Sequence, residues 1–307
     1  MHLNAYWAYG LRIQAELQCP ELPADAQAEG KADVTIRLLP ASGAAMEALE
    51  NGYYEVHPGV FRLAVPGVAQ YRVEEGRLIT VEPATDAAPE RLRLFLLGSA
   101  MGALLYQRGL FPLHGSAVET PWGGMIFVGP QGVGKSTLAA QFHRRGFRLL
   151  SDDVCAVEAT ELGLRILPAV ARFRLCADAF ELIGSPEGGH FDVDKYVVPM
   201  GEGYCPDPAP LKAIAILAYH EDAEPEFRIL RGFDRVQRLL ENLYRPHYLK
   251  RQETQGELMR MAGLIAEKTT MAIVSRRRNA AEGPALVEFL QGAWAERFGR
   301  VVEEEKS

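Results

Sequence analysis

The residues with the clearest chemistry are Gly129-Pro130-Gln131-Gly132-Val133-Gly134-Lys135-Ser136, followed by Thr137. They fit the pattern G-x-x-x-x-G-K-[ST], in which every fixed position has a physical task. Gly129, Gly132 and Gly134 let the backbone curl so that successive N–H groups, with those of Gln131 and Val133, point at phosphate oxygens. Lys135 reaches the β- and γ-phosphates, and the Ser136 hydroxyl is a ligand for Mg²⁺. A helix beginning at Ser136 and Thr137 adds its positive N-terminal end. The segment is read as a phosphate cradle for a nucleoside triphosphate.

Two further groups lie near it in sequence. Asp152 and Asp153 follow the cradle by about one helix and one strand, where a parallel neighbour strand would deliver them beside the phosphates. One carboxylate would bind Mg²⁺, directly or through water, and the other would accept a proton from an attacking hydroxyl; spacing leaves open which does which. The plainer alternative is that the pair turns the chain after a strand. His114 opens the segment His114-Gly115-Ser116 upstream of the cradle, and a single histidine is more often structural than catalytic.

The elements that must position these groups follow from periodicity. Before residue 85, alternating patterns over 6–15, 32–39, 53–57, 61–65 and 71–81 read as short strands. A loop over 82–89 rich in Pro, Ala and Asp suggests a boundary, with a β-rich N-terminal domain over 1–88 and an α/β domain over 89–307. Residues 92–110 read as a buried helix, and Gly98 and Gly102 as one close-packed face of it. Strands over 114–119 and 124–128 flank a turn and lead into the cradle. A helix follows to 145, then a strand over 147–150 with Ser151-Asp152-Asp153 at its C-terminal end. Further on come a hairpin over 154–167, a short helix over 177–183 and a buried strand over 211–219. Two helices over 233–268, a strand over 270–275 and a last helix from Pro284 complete the reading.

Composition narrows the function classes. The chain has 307 residues, 48% hydrophobic and 24% charged, and a formal net charge of −7 from 33 Lys+Arg against 40 Asp+Glu. That balance repels a phosphate backbone, so no nucleic-acid partner is expected. The apolar run at 92–110 is too short between charges to span a bilayer, which needs about 20 apolar residues. The opening residues lack the charged and apolar regions of a secretion signal, which points to the cytoplasm. Cys19, Cys155, Cys176 and Cys205 show no metal-binding spacing and are read as reduced thiols.

The stretch HGSAVETPWGGMIFVGPQGVGKSTLAAQFHRRGFRLLSDDVCAVE, residues 114–158, resembles the catalytic core of bacterial HPr kinase/phosphorylase, itself similar to phosphoenolpyruvate carboxykinase. The shared order is a His-Gly strand, a hairpin, the glycine loop, one short helix and a strand carrying Asp-Asp. The resemblance implies an α/β core of that kind, ATP and Mg²⁺ as cofactors, and transfer of a phosphoryl group to a serine hydroxyl of a protein. It maps functional positions onto His114, Lys135, Ser136, Asp152 and Asp153, with Ser136 and Asp153 as metal ligands. It also implies that the chain forms oligomers. The family's Glu-Val-Arg-Gly-Leu-Gly signature and its Pro-Val-Arg-Pro-Gly-Arg element have no counterpart in this reading. Lys195, then Arg245 and Arg251, are the candidates for the cation that they would supply. The overall layout is most similar to the HPr-kinase-related proteins encoded with ribosomal-peptide tailoring enzymes, some of which phosphorylate the C-terminal serine of a lasso precursor peptide.

Two other readings stay open on the residues. A small-metabolite kinase also places an Asp-bearing strand soon after such a loop. A nucleotide-gated binding module would use the N-terminal part, and a basic helix with Arg235, Arg238, Arg245 and Lys250, to hold a partner such as an acidic peptide without transfer.

Overall fold

The computed structural model describes residues 3–25, 30–41, 49, 53–184, 186–192, 195–221, 224–249, 252–277 and 283–304. They form a mixed α/β fold that divides into two compact units, Met1–Pro112 with Leu243–Met259 and Leu113–Asn242 with Arg260–Ser307. No helix among the described residues is long and apolar enough to cross a membrane.

The first unit holds strands β1 (Asn4–Ala8), β2 (Leu11–Ala15), β3 (Val34–Leu38), β4 (Tyr54–His57), β5 (Val60–Val65), β6 (Ala69–Glu74) and β7 (Leu78–Pro83) in one sheet of order β1-β2-β3-β7-β6-β5-β4. Its alternating residues Ile13, Ile36, Val73, Ile79 and Val81 are fully buried, as a period of two with one apolar face requires. A helix follows as α1 (Pro89–Phe95), one π turn at Leu96–Ala100 and α2 (Met101–Gln107).

This helix belongs with the sheet rather than with a second domain starting at 89. Tyr71 donates to the Leu92 carbonyl at 2.9 Å, and the Gln107 side chain accepts from the Gly76 amide at 2.8 Å. The chain returns to the same unit much later. Tyr106 donates to the Tyr244 carbonyl at 2.7 Å, and the Tyr244 ring lies against Gly102, where a Cβ would stand 2.8 Å from it. Such contacts over more than a hundred residues leave no local signal, so the boundary suggested near 88 lies short of the compact unit.

The second unit is built on β8 (Phe111–Thr120), β9 (Gly123–Val128), α3 (Lys135–Arg144), β10 (Arg148–Thr160), β11 (Gly163–Leu167), β12 (Arg172–Leu175), α4 (Ala177–Leu182), β13 (His190–Asp192), β14 (Lys195–Pro199), β15 (Ala209–Tyr219), β16 (Glu226–Ile229) and α5 (Asp234–Glu241). Helix α6 (Gln252–Lys268), β17 (Thr270–Arg276) and α7 (Gly283–Glu304) complete the chain. The main sheet runs β11-β10-β8-β9-β15-β17-β16, with β9, β15 and β17 parallel and β8 antiparallel to β9. Strands β12, β14 and β13 form a separate small sheet.

Parallel strands buried on both faces read as continuous apolar runs, and 213–217 of β15 and 271–274 of β17 do so. Leu138 and Phe142 of α3 and Leu286, Val287, Leu290 and Trp294 of α7 close one core with Phe127, Ala215 and Val274 of the strands. Phe127 and Phe142 sit 5.1 Å apart, within the range of favourable ring pairs. This packing fixes α3 to the sheet, so its first turn has a defined place at the end of β9.

Candidate active site

Strand β9 ends at Val128 and α3 begins at Lys135, and the six residues between them curl tightly. Gly129, Gly132 and Gly134 have φ of 140°, 78° and 92°, a region that side-chain-bearing residues rarely adopt. Gly129 is also close-packed, since a Cβ there would stand 2.7 Å from the Leu217 carbonyl. Within the loop the Val133 amide donates to the Pro130 carbonyl at 3.3 Å. Lys135 is buried and donates to the carbonyls of Gly129 and Pro130 at 2.9 and 3.1 Å. Burial pulls its ammonium pKa below the usual value, against the opposing pull of Asp153 and Asp152.

The aspartates sit within a strand rather than at its end. β10 runs for 13 residues, and Asp152 and Asp153 are its fifth and sixth. In a regular strand adjacent side chains point to opposite faces. Here Asp153 has φ of 78°, so the alternation breaks and both carboxylates line the same cavity. A left-handed non-glycine residue costs about 1–3 kcal/mol and persists where the surroundings hold it. β10 is also not the neighbour of β9: β8 lies between them, and it supplies groups to both.

From β8, Ser116 is fully buried and donates to Asp152 Oδ1 at 2.6 Å. The Arg174 amide of β12 donates to Asp152 Oδ2 at 3.0 Å, and the Ser136 hydroxyl also reaches this carboxyl. Burial outweighs these donors and raises the Asp152 pKa above the ordinary carboxylate value. His114, two residues earlier on β8, sits with Nδ1 3.4 Å from Asp153 Oδ1 and 3.1 Å from its carbonyl. Burial would push Asp153 up too, but the hydrogen bond and charge of His114, followed by Lys195 and Arg174, bring it below the ordinary value. Two adjacent carboxyls are thus driven apart in proton affinity, the pattern that separates an acid or ligand role from a base role.

A cavity of ≈ 370 Å³ joins the loop to these groups. It is lined by His114, Ser116, Gln131, Gly132, Gly134, Lys135, Ser136, Thr137, Asp152, Asp153 and Lys195, so most of the residues singled out from sequence converge. Gly129 and Val133 shape the loop without lining that space. Arg245 belongs to the first unit, and Arg251 lies outside the described residues.

The sequence reading missed two groups that grip the loop from β15 and β17. Tyr219 donates to the Gly132 carbonyl at 3.2 Å, and Arg276 donates to the Val133 carbonyl at 3.3 Å. The Arg276 guanidinium lies 5.3 Å above the Tyr219 ring, and among the described residues no carboxylate pairs with it. Both stand at the C-terminal ends of parallel strands, paired as register partners, where open α/β sheets bind ligands. Their spacing of 57 positions, 219 to 276, gives no local signal.

A divalent cation fits this donor set. Mg²⁺ is commonly held by one or two carboxylates together with substrate phosphate oxygens. Ser136 and either carboxyl of the Asp152–Asp153 pair could supply such oxygen ligands, since all three line the cavity. Among the described residues no group of three or more His, Cys, Asp or Glu side chains could hold a metal ion. The four cysteines are free thiols, as expected.

No protein-family model matches the chain, and no curated protein does. Among solved structures the chain is similar to the Hpr(Ser) kinase/phosphatase from Coxiella burnetii, at 16% identity, over 63% of this chain and 98% of that one, with a TM-score of 0.32. The pocket's own geometry therefore carries the chemical reading.

Proposed function

We propose that the chain is a kinase that moves the γ-phosphoryl group of ATP, bound with Mg²⁺, to the hydroxyl of a serine in a peptide or protein. The observation that supports it most is the convergence, in one cavity, of the glycine loop, Lys135, Ser136 and two carboxyls of opposite pKa displacement. The loop amides and Lys135 bind the β- and γ-phosphates. Mg²⁺ would be held by Ser136 and Asp152, and it supplies charge neutralisation between the phosphates. This pairing differs from the Ser136 and Asp153 pair that the resemblance implies, because the Ser136 hydroxyl reaches Asp152.

Asp153 is then the base. Its lowered pKa keeps it ionised at neutral pH, and it is 42% exposed towards the cavity, where an acceptor hydroxyl can reach it. The serine O–H proton passes to the Asp153 carboxylate as the oxygen bonds to the γ-phosphorus. The bond from that phosphorus to the bridging oxygen breaks, and ADP leaves. His114 holds the carboxylate in place. Lys195, which lines the same cavity, balances charge on the phosphoryl group. The C-terminal serine of a lasso precursor peptide is the sharpest acceptor proposal, and it rests on the sequence resemblance.

The test is transfer from labelled ATP to serine peptides by the Asp152→Asn and Asp153→Asn variants. Both should lose at least about 100-fold in turnover. ATP binding should change far less in Asp153→Asn than turnover does, and near-normal transfer in either variant would overturn the assignment.

A further inference from the structure

Two residues that the glycine-loop pattern does not call for stand against the loop on one side. Tyr219, at the end of β15, is 39% exposed and lines the cavity, and its hydroxyl donates to the Gly132 carbonyl. Arg276, its register partner at the end of β17, lines the same cavity. It donates through Nη2 to the Val133 carbonyl and through Nη1 to the Arg277 carbonyl at 3.2 Å. The guanidinium lies over the Tyr219 ring and close against Gly134, where a Cβ would stand 2.7 Å from Nη2. Carbonyls and a ring thus hold a planar cation beside the glycine that caps α3.

The order of the sheet decides which part of a nucleotide meets them. In β11-β10-β8-β9-β15-β17-β16, the loop leaves the end of β9. His114 on β8 and the aspartates on β10 lie one and two strands away on one side, and Tyr219 on β15 and Arg276 on β17 lie one and two strands away on the other. Neighbouring strands are about 5 Å apart, so each group reaches about 10 Å out from the loop, in opposite directions. A γ-phosphate placed for transfer at Asp153 points the rest of the phosphate chain back across the loop. The sugar and base then leave it over the ends of β15 and β17, where open α/β sheets bind ligands.

We infer that Tyr219 and Arg276 form the nucleoside subsite, in which a purine base stacks against the guanidinium and the ring. A guanidinium is planar, weakly hydrated and stacks on aromatic faces, a surface that an ammonium does not offer. The cation–π contact and the two carbonyls already hold it in place, so a ligand has little left to order on binding. Stacking serves every base, because each has a π face. The subsite therefore takes purine nucleotides as a class, adenine and guanine alike. The inference rests on the nucleotide reading of the glycine loop and on the γ-phosphate facing Asp153.

The experiment is calorimetric titration of the full chain, with Mg²⁺, by ATP, GTP and tripolyphosphate, repeated with Arg276→Lys and Tyr219→Leu. The wild type should bind ATP and GTP within about threefold of each other, and both about tenfold or more tighter than tripolyphosphate, the scale of one stacked base. Arg276→Lys keeps the charge and removes the plane, so it should take away most of that advantage while tripolyphosphate changes less than about twofold. Tyr219→Leu should act in the same direction, and it carries the test if Arg276→Lys does not fold. Equal binding of ATP and tripolyphosphate by the wild type overturns the subsite alone. So does an ATP advantage that survives both variants, or a loss that tripolyphosphate shares equally, which marks a phosphate contact. Absence of binding by all three ligands overturns the nucleotide reading and the subsite with it.

Discussion

Replacing Ser116 with alanine removes a donor from a carboxyl that can ill spare one. Asp152 has three hydrogen-bond donors, and Ser116 is the one at 2.6 Å in a fully buried position. A hydrogen bond to a charged group contributes about 1.5–3 kcal/mol, and one between neutral groups about 1 kcal/mol. The loss should therefore depend on the protonation state of Asp152. Burial raises its folded-state pKa, so at pH values well above that pKa it is ionised, and Ser116→Ala should cost about 1.5–3 kcal/mol. As pH falls through the folded pKa the carboxyl becomes neutral, and the cost should shrink towards about 1 kcal/mol. With Asp152 ionised, this corresponds to a drop in Tm of about 3–12 °C for a unit of this size. Denaturant titration of the wild type and variant over a pH series that spans the protonation of Asp152 gives both numbers. A loss under about 0.5 kcal/mol throughout, or a loss that grows on acidification, would refute the account of how Asp152 is held.

Two other predictions follow from the same geometry. His114→Ala removes the leading influence that lowers Asp153, so the Asp153 pKa rises and the base is lost at a higher pH; the acid limb of the pH–rate profile should shift upward, and an unmoved limb would contradict the pairing. Gly132→Ala and Gly134→Ala each force an alanine to positive φ, at about 1–2 kcal/mol. Only at Gly134 would the Cβ also meet Arg276, 2.7 Å from its Nη2, so nucleotide affinity should fall further in that variant, and equal losses would argue against a role for Arg276 on the loop.

The glycine loop was legible in the sequence because its task dictates residue types at fixed spacing, and the left-handed φ values fall at the glycines the pattern requires. The Asp pair was legible as a location but not as a conformation. Aspartate is disfavoured in strands, so the pair read as a strand end. The chain instead continues through it with one left-handed residue, a feature no composition rule reveals. Ser116, Arg174, Tyr219 and Arg276 are ordinary residue types locally. Their roles come from which strands become neighbours, above all from β8 standing between β9 and β10 and from the register of β15 with β17. The small sheet of β12, β13 and β14 also went unread. Its strands are three to five residues long and interleave charged with apolar side chains, too short for a period to stand out.

If the cavity works as proposed, a phosphoryl group leaves ATP there for a peptide serine. Intact-mass spectrometry of peptides containing or ending in serine, incubated with the protein, ATP and Mg²⁺, tests it directly, with Lys135→Ala as control. A serine peptide should gain phosphate mass, and the gain should disappear with Lys135→Ala. Consumption of ATP with no mass gained on any peptide would contradict it.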